Sequence, residues 1–181
     1  MINIQTERLN LWLVPLSGLA ATAAKDRAAA RRIISSKLPE IWFDEAWVSE
    51  LRLKQWTDDP SYAPWSIRAI VFRETGEIIG NMNCHHVPMP FVLHGSTTVA
   101  VEMGYTIFEP WRRRGFAWEA IKGFTCWAAA RGLEAMVLSI ASSNTASLRL
   151  AEKLGAEKIG SKVDDVNGPE DIYFARLMNA A

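Results

Sequence analysis

Cysteine is scarce. Cys84 and Cys126 are the only two in the chain, too few for a disulfide framework and suited to a reducing compartment. A charge excess is also missing, because 20 Lys and Arg balance 20 Asp and Glu. That argues against a general nucleic-acid binder, whose affinity grows with a broad surplus of basic side chains. Long apolar runs are absent as well. The Ala-rich stretch from Leu19 to Ala30 is interrupted by Lys25, Asp26 and Arg27, far short of the ~20 apolar residues that cross a bilayer. Met1 to Arg8 holds no apolar leader segment. A cytoplasmic protein without membrane or nucleic-acid partners is therefore expected. What remains is a globular balance of 49% apolar and 22% charged residues. A length of 181 residues fits one domain, 1–181, with a sizeable core.

Patterning sketches the elements. Residues 8–15 alternate, with Leu9, Leu11 and Leu13 on one face, and read as a strand. Ser17 caps a helix to about Ser35, and Pro39 breaks the chain. Asp44 caps a second helix to about Trp56, with Trp47, Leu51 and Leu53 inward, ended by Asp58-Asp59-Pro60. Residues 65–73 and 77–86 form a hairpin about Thr75-Gly76, and 87–95, with Pro88 and Pro90, reads as a loop. A strand at 99–108 precedes a helix at 118–131 that Gly132 terminates. A buried strand covers 135–141, Asn144 caps a helix ending at Gly155, and strands near 156–164 and 172–178 flank a turn at Asn167-Gly168-Pro169. The expected fold is α/β (α+β): about seven strands in a mixed sheet, with helices on both faces.

The most informative stretch is Arg112-Arg113-Arg114-Gly115-Phe116-Ala117, between the 99–108 strand and the following helix. The first-turn N–H groups and the macrodipole of that helix favour an anion. Gly115 allows positive φ and close approach of a phosphate, and Ala117 keeps the next turn open. A solvated basic loop is the plainer reading.

The order of elements, with Arg112, Gly115 and Ala117 in an Arg-x-x-Gly-x-Ala loop, resembles the GNAT superfamily of acetyl-CoA-dependent N-acetyltransferases. Ser143-Asn144-Thr145-Ala146-Ser147 followed by Ala151-Glu152-Lys153-Leu154-Gly155-Ala156 is similar to the family's Asn-x-x-Ser helix start and its Glu-Lys-x-Gly-Phe ending, with Ala156 in place of the aromatic. Thr6-Glu7-Arg8-Leu9 and Glu102-x-Gly104-Tyr105 resemble the ribosomal-protein N-terminal (Rim-type) branch. The resemblance is weakest over 17–64, the region that in this family shapes the acceptor pocket.

The resemblance implies a GNAT-like, mostly antiparallel sheet and acetyl transfer from acetyl-CoA to a primary amine by direct attack in a ternary complex. The acceptor would be a protein N-terminus or a small-molecule amine. Arg112, Arg113 and Arg114, with the amides from Arg113 through Gly115 and Phe116 to Ala117, would hold the diphosphate. The pantetheine arm would pair with the strand edge over 104–108 where it splays from the 135–141 strand, helped by a bulge. A backbone N–H of Ile107 or Phe108 would receive the developing oxyanion. Glu102 is the candidate general base. Relatives that carry a base on the 135–141 strand have a Glu where this chain has Ser139. The last-helix Tyr that serves others as acid is absent from Leu150-Ala151-Glu152, so Ser147 is the candidate donor to the leaving sulfur. Asn144 would add a cofactor contact, although both residues also suit plain helix capping.

Other features read as structural. His85 and His86 lack a third metal ligand at suitable spacing, and no metal is expected. Cys84 and Cys126 read as packed thiols. Of eight tryptophans, Trp12, Trp65 and Trp127 suit the core. At least one of Trp42, Trp47 and Trp56 suits the acceptor pocket, and Trp111 and Trp118 flank the phosphate loop. Tryptophan-rich surface elements would suit a homodimer. The competing function is an acetyl-CoA-binding sensor or partner-binding module without transferase activity, motivated by the missing Tyr and Glu.

Overall fold

Alternating leucines build the first long strand. Leu9 and Leu11 are fully buried and Trp12, the next residue, is exposed, so the strand has one dry face. The structure, a computed structural model, describes residues 3–164 and 168–177. The strands are β1 (Asn3–Gln5), β2 (Leu9–Leu13), β3 (Arg68–Phe72), β4 (Ile78–Cys84), β5 (Met89–Leu93), β6 (Ser96–Ile107), β7 (Ala135–Ala141), β8 (Glu157–Asp164) and β9 (Gly168–Arg176). The α-helices are α1 (Leu16–Ala23), α2 (Arg27–Ile33), α3 (Ala46–Asp58), α4 (Phe116–Ala129) and α5 (Thr145–Lys153). The fold is mixed α/β, with nine strands among the described residues where the sequence suggested about seven. β1 is a short addition, and β5 replaces the expected 87–95 loop. Pro90 is accommodated because β5 pairs on one side with β6, through a two-residue turn with positive φ at His94 and Gly95.

The chain divides into two units, Met1–Cys84 with Tyr105–Phe124, and His85–Gly104 with Thr125–Ala181. In the first, β1, β2, β3 and β4 pair antiparallel in that order. The Phe108 amide donates to the Ile79 carbonyl at 2.8 Å, extending the sheet to the end of β6. Its core gathers Val14, Leu19, Leu38, Trp42, Phe43, Ile67, Val71 and Phe108. In the second, β7 pairs parallel with β6 and antiparallel with β9, which pairs with β8. Phe91 stacks on Phe174 at 5.4 Å over Ala100, Ala135 and Val137.

Several boundaries differ from the sequence reading for identifiable reasons. The 17–35 helix is two helices. Lys25 takes positive φ of 54°, and Asp26 restarts the chain by accepting from the Ala29 amide at 2.9 Å. Pro15, not Ser17, precedes α1, and Glu45, not Asp44, precedes α3, neither with a side-chain cap bond. On α3 the buried line is Ala46, Ser49 and Arg52, while Trp47 and Leu51 are exposed. Arg52 turns inward because Asn83 Oδ1 and Gln55 Oε1 accept its N–H groups at 2.8 Å each. The strand expected from Trp65 begins at Arg68, after a 3₁₀ segment at Pro60–Trp65. α4 begins at Phe116, two residues before expected. Trp65 is buried as expected, Trp127 is half-buried, and Trp12 and Cys126 are exposed. Of the 167–169 turn, Asn167 lies outside the described residues, and Gly168 and Pro169 open β9. Met178 also lies outside them.

Candidate active site

The candidate phosphate loop is the turn that joins β6 to α4. After a 3₁₀ turn at Glu109–Trp111 the chain passes through positive φ at Arg113 (66°) and Gly115 (81°). An L-residue at such φ costs about 1–2 kcal/mol, a cost that Arg113 carries and that glycine avoids at position 115. Residues Arg112 to Gly115 are exposed. The first hydrogen bond of α4 runs from the Glu119 amide to the Gly115 carbonyl at 3.1 Å. The amides of Phe116 and Ala117 therefore precede the helical ladder, as an anion requires. A Cβ added to Gly115 would meet only Arg8 Nη2, at 3.5 Å. The donors, positive φ and open surface fit a diphosphate.

The loop's side chains divide their roles. Arg112 Nε donates to the Ile107 carbonyl at 2.8 Å, tying the loop to the end of β6. The Arg114 guanidinium lies over the Trp111 ring at 5.2 Å. Phe116 is buried against Phe72 and Trp111, so it offers a ligand only its backbone. Trp111 thus stacks on the protein, and Trp118 lies under Lys122. The Phe108 amide, one of two expected oxyanion donors, is already bonded to Ile79.

Sequence reasoning missed a fourth arginine here. Arg8 Nη1 donates to the Arg114 carbonyl at 3.2 Å, and its guanidinium covers the Phe116 ring at 4.5 Å. Glu119, in the first turn of α4, anchors it. Its carboxylate accepts from Thr6 Oγ1 at 2.6 Å, the Arg8 amide at 2.6 Å and Arg8 Nε at 2.7 Å. Burial pushes the Glu119 carboxyl up, but these donors outweigh it and hold it below 4.5. A carboxyl so lowered stabilises the fold above its unfolded value and loses that contribution as pH falls through the folded one. Glu119→Gln should cost about 1–2 kcal/mol at pH 7, discounted because the Arg8 side chain is 40% exposed. It should also flatten the loss of stability below about pH 4, which urea melts at pH 7 and pH 3 would read. Equal melts for both proteins at pH 7 would refute the assignment.

In the second unit the expected base heads a polar group. Glu102 Oε1 accepts from Ser139 Oγ at 2.6 Å and Lys162 Nζ at 2.9 Å, and faces His85 Nδ1 at 3.4 Å. Glu170, 8% exposed, stands 3.9 Å from Lys162. The Glu102 pKa is raised by burial, yet hydrogen bonds from His85, Ser139 and Lys162 win and hold it far below the usual carboxylate range. Burial first, then the nearby Asp164 and Glu102 charges, push the Glu170 carboxyl up against the pull of Lys162 and His85. Ser139, where relatives carry a base, is instead a donor to Glu102. His85, Lys162 and Glu170 were missed, because only folding joins positions so far apart in sequence.

β6 pairs with β7 from Ala100↔Ala135 to Glu102↔Val137. The register shifts found lie at Ile70/Val71 and Lys158/Gly160. Asn144 caps α5, its Oδ1 accepting from the Ser147 amide at 3.1 Å, and its own amide donates to the Ala141 carbonyl. Among the described residues no group of three or more His, Cys, Asp or Glu is arranged to hold a metal, and no helix is long and apolar enough to cross a membrane.

The loop and strand order suit an acyl-CoA type of transferase. The profile of the Acetyltransferase (GNAT) domain matches residues 11–157. The chain belongs to this family and is an acetyl-CoA-dependent acyltransferase. Among solved structures it is similar to the ribosomal-protein-S5-alanine acetyltransferase of Vibrio fischeri, with TM-score 0.65, 16% identity, and 98% of this chain and 97% of that one covered. It is also similar to a ribosomal L7/L12 α-N-protein acetyltransferase in complex with coenzyme A, with TM-score 0.62, 15% identity and coverage of 97% and 98%. A third is the microcin C7 self-immunity acetyltransferase in complex with acetyl-CoA and AMP, with TM-score 0.60, 13% identity and coverage of 94% and 93%.

Proposed function

We propose that this chain moves an acetyl group from acetyl-CoA to a primary amine, by direct attack in a ternary complex. The observation that carries it is the exposed Arg112–Ala117 loop, with positive φ at Arg113 and Gly115, inside the family match. The cosubstrate brings the acetyl group activated as a thioester. Arg112, Arg113 and Arg114 and the amides from Arg113 to Ala117 hold its diphosphate. Because Phe108 already donates to Ile79, the Ile107 amide is the remaining expected donor to the carbonyl oxygen. The attacking nitrogen must first lose a proton, and the group around Glu102 takes that role. The Ser147 hydroxyl supplies a hydrogen bond to the leaving sulfur, and Asn144 holds that helix start in place.

An N-terminal peptide amine is the preferred acceptor. The supports are the Thr6-Glu7-Arg8-Leu9 opening, the Glu102-x-Gly104-Tyr105 strand and the two ribosomal-protein acetyltransferases among the similar structures. Small-molecule amines are the second class. The test is an acceptor panel of peptide N-termini, polyamines, aminoglycosides and amino acids, read by released CoA thiol, beside melting curves with acetyl-CoA. Thiol release with a peptide amine is the expected result. A rise in melting temperature without thiol release for any amine would instead favour a sensor module. An unchanged melting curve at saturating acetyl-CoA would remove both.

A further inference from the structure

We propose that Arg8 is a cofactor-binding residue whose Nη2 donates to a phosphate oxygen of acetyl-CoA, with Glu119 as the positioning residue that aims it. This rests on the acetyl-transfer reading above, which puts the diphosphate at the Arg112–Ala117 loop. The starting point is the allocation of donors. An arginine side chain offers five N–H groups in one plane. Arg8 Nε donates to Glu119 Oε2 at 2.7 Å, and Nη1 to the Arg114 carbonyl at 3.2 Å. The other Glu119 oxygen is taken by the Thr6 hydroxyl and the Arg8 amide, both at 2.6 Å. Among the described residues nothing accepts from Nη2. It stands 3.5 Å from the point where a Cβ of residue 115 would lie, and among the described residues no other atom beyond the adjoining ones comes within 4 Å of that point. A phosphate that approaches Gly115 on this face meets the unused N–H bonds of a cation.

The guanidinium is held on three sides. Its Nε and Nη1 bonds fix two directions, and the Phe116 ring lies under it at 4.5 Å. The turn that carries Arg8 is fixed as well. The Thr6 amide donates to the Leu9 carbonyl at 2.9 Å, and the Leu9 amide donates back to Thr6 Oγ1 at 3.1 Å. Arg73 closes the other side, Nη1 donating to the Thr6 and Glu7 carbonyls at 2.9 and 2.7 Å and its amide to the Arg8 carbonyl at 2.9 Å. A donor ordered before its ligand arrives loses little freedom on binding. The loop's own side chains are placed otherwise, since Arg112 Nε is committed to the Ile107 carbonyl and the Arg114 guanidinium lies over Trp111. Arg8, Glu119 and the loop all belong to the first unit, so the arrangement is complete within it.

Pairing with Glu119 does not cancel this role. The ion pair has little net charge at a distance, but a hydrogen bond to phosphate depends on the nearest N–H, and a guanidinium is a strong donor there. Glu119 has two effects on an incoming phosphate, and they differ in sign. Its charge repels the anion, so on charge alone Glu119→Gln should tighten binding. Its grip on Nε aims Nη2 at the Gly115 face, so on position Glu119→Gln should weaken binding. The sign of the change separates a positioning residue from a mere countercharge.

The test is calorimetric titration with acetyl-CoA and with acetyl-dephospho-CoA, which keeps the diphosphate and lacks the 3′-phosphate. Arg8→Gln should raise the Kd of acetyl-CoA roughly 10- to 100-fold, the range for hydrogen bonds to charged groups. Arg8→Lys keeps the charge without the planar fork and should weaken binding less. Glu119→Gln should raise Kd as well. Arg27→Gln, which removes a cation paired with Glu40, should bind as wild type does. An equal loss with both ligands assigns the contact to the diphosphate, and a loss confined to acetyl-CoA assigns it to the 3′-phosphate. Either result upholds Arg8 as a phosphate ligand. Melting curves without ligand show which variants fold, and if Arg8→Gln does not, Arg8→Lys and Glu119→Gln carry the measurement. An unchanged Kd in the Arg8 variants that fold, whatever their melting temperature, makes Arg8 structural and overturns the proposal. A Kd in Glu119→Gln equal to or tighter than wild type overturns the positioning role. If wild type itself binds no acetyl-CoA, the transferase reading falls and the role of Arg8 with it.

Discussion

Replacing Gly115 with valine should abolish the rise in melting temperature that acetyl-CoA gives the wild-type chain. At a hundredfold excess over Kd a ligand stabilises by about 2.7 kcal/mol, roughly 5 to 10 °C for a chain of this length. Gly115 lies at φ of 81°, where a β-branched side chain is strongly disfavoured. The surrounding space is open, with only Arg8 Nη2 at 3.5 Å from the new Cβ. The damage is therefore to backbone conformation, and so to the direction of the following amides, rather than to packing. Gly115→Asn separates the causes, because asparagine tolerates left-handed φ. If Gly115→Asn keeps the shift and Gly115→Val loses it, amide direction is what binds the diphosphate. If both lose it, the space above the loop is what matters. An undiminished shift in Gly115→Val would remove the loop from the binding site.

Gly80→Ala should be among the most destabilising single changes available. Gly80 pairs with Ile70 beside the β3–β4 register shift. A Cβ there would overlap the Thr106 carbonyl oxygen and lie 3.1 Å from Ile107 Cα. Both obstacles are main chain, which cannot swing aside as a side chain can. Relief requires moving β4 from the end of β6, breaking the Phe108-to-Ile79 hydrogen bond on the way. We expect a loss of at least ~3 kcal/mol, the upper end of ordinary overpacking, or a fall in melting temperature of about 6 to 12 °C. Ile107 and the Arg112 side chain that clasps its carbonyl would shift with it, so acetyl-CoA affinity should fall as well. A Gly80→Ala protein that melts within a degree or two of wild type would show that the close approach is not required.

The contrast between these glycines shows what a sequence can and cannot tell. Gly115 was legible because its neighbours, three arginines and a helix start, are adjacent in the chain. Gly80 was silent, because the backbone it must admit comes from a strand about 26 residues later in sequence. The same division runs through the fold. The 135–141 strand, the Asn144 cap and the Gly132 terminus rest on local patterns and were read as they stand. The inward face of α3 was misread, because Arg52 is buried by partners at Asn83 and Gln55 that outweigh the apolar spacing of Trp47 and Leu51. β5 was missed because proline argues against a central strand, whereas an edge tolerates it. At the site, Glu102 was found through its strand motif. Its neighbours His85, Ser139 and Lys162, which decide whether it can accept a proton, lie 17, 37 and 60 positions away.

The two thiols differ in a way that is useful at the bench. Cys84 is fully buried, and burial pushes its pKa up to about 12, whereas Cys126 faces solvent on α4. A maleimide dye should therefore attach at a single position of the native protein with no engineering. That dye would ride on the same helix whose first turn completes the phosphate loop, so its fluorescence could follow nucleotide-cofactor titrations without an acceptor in hand.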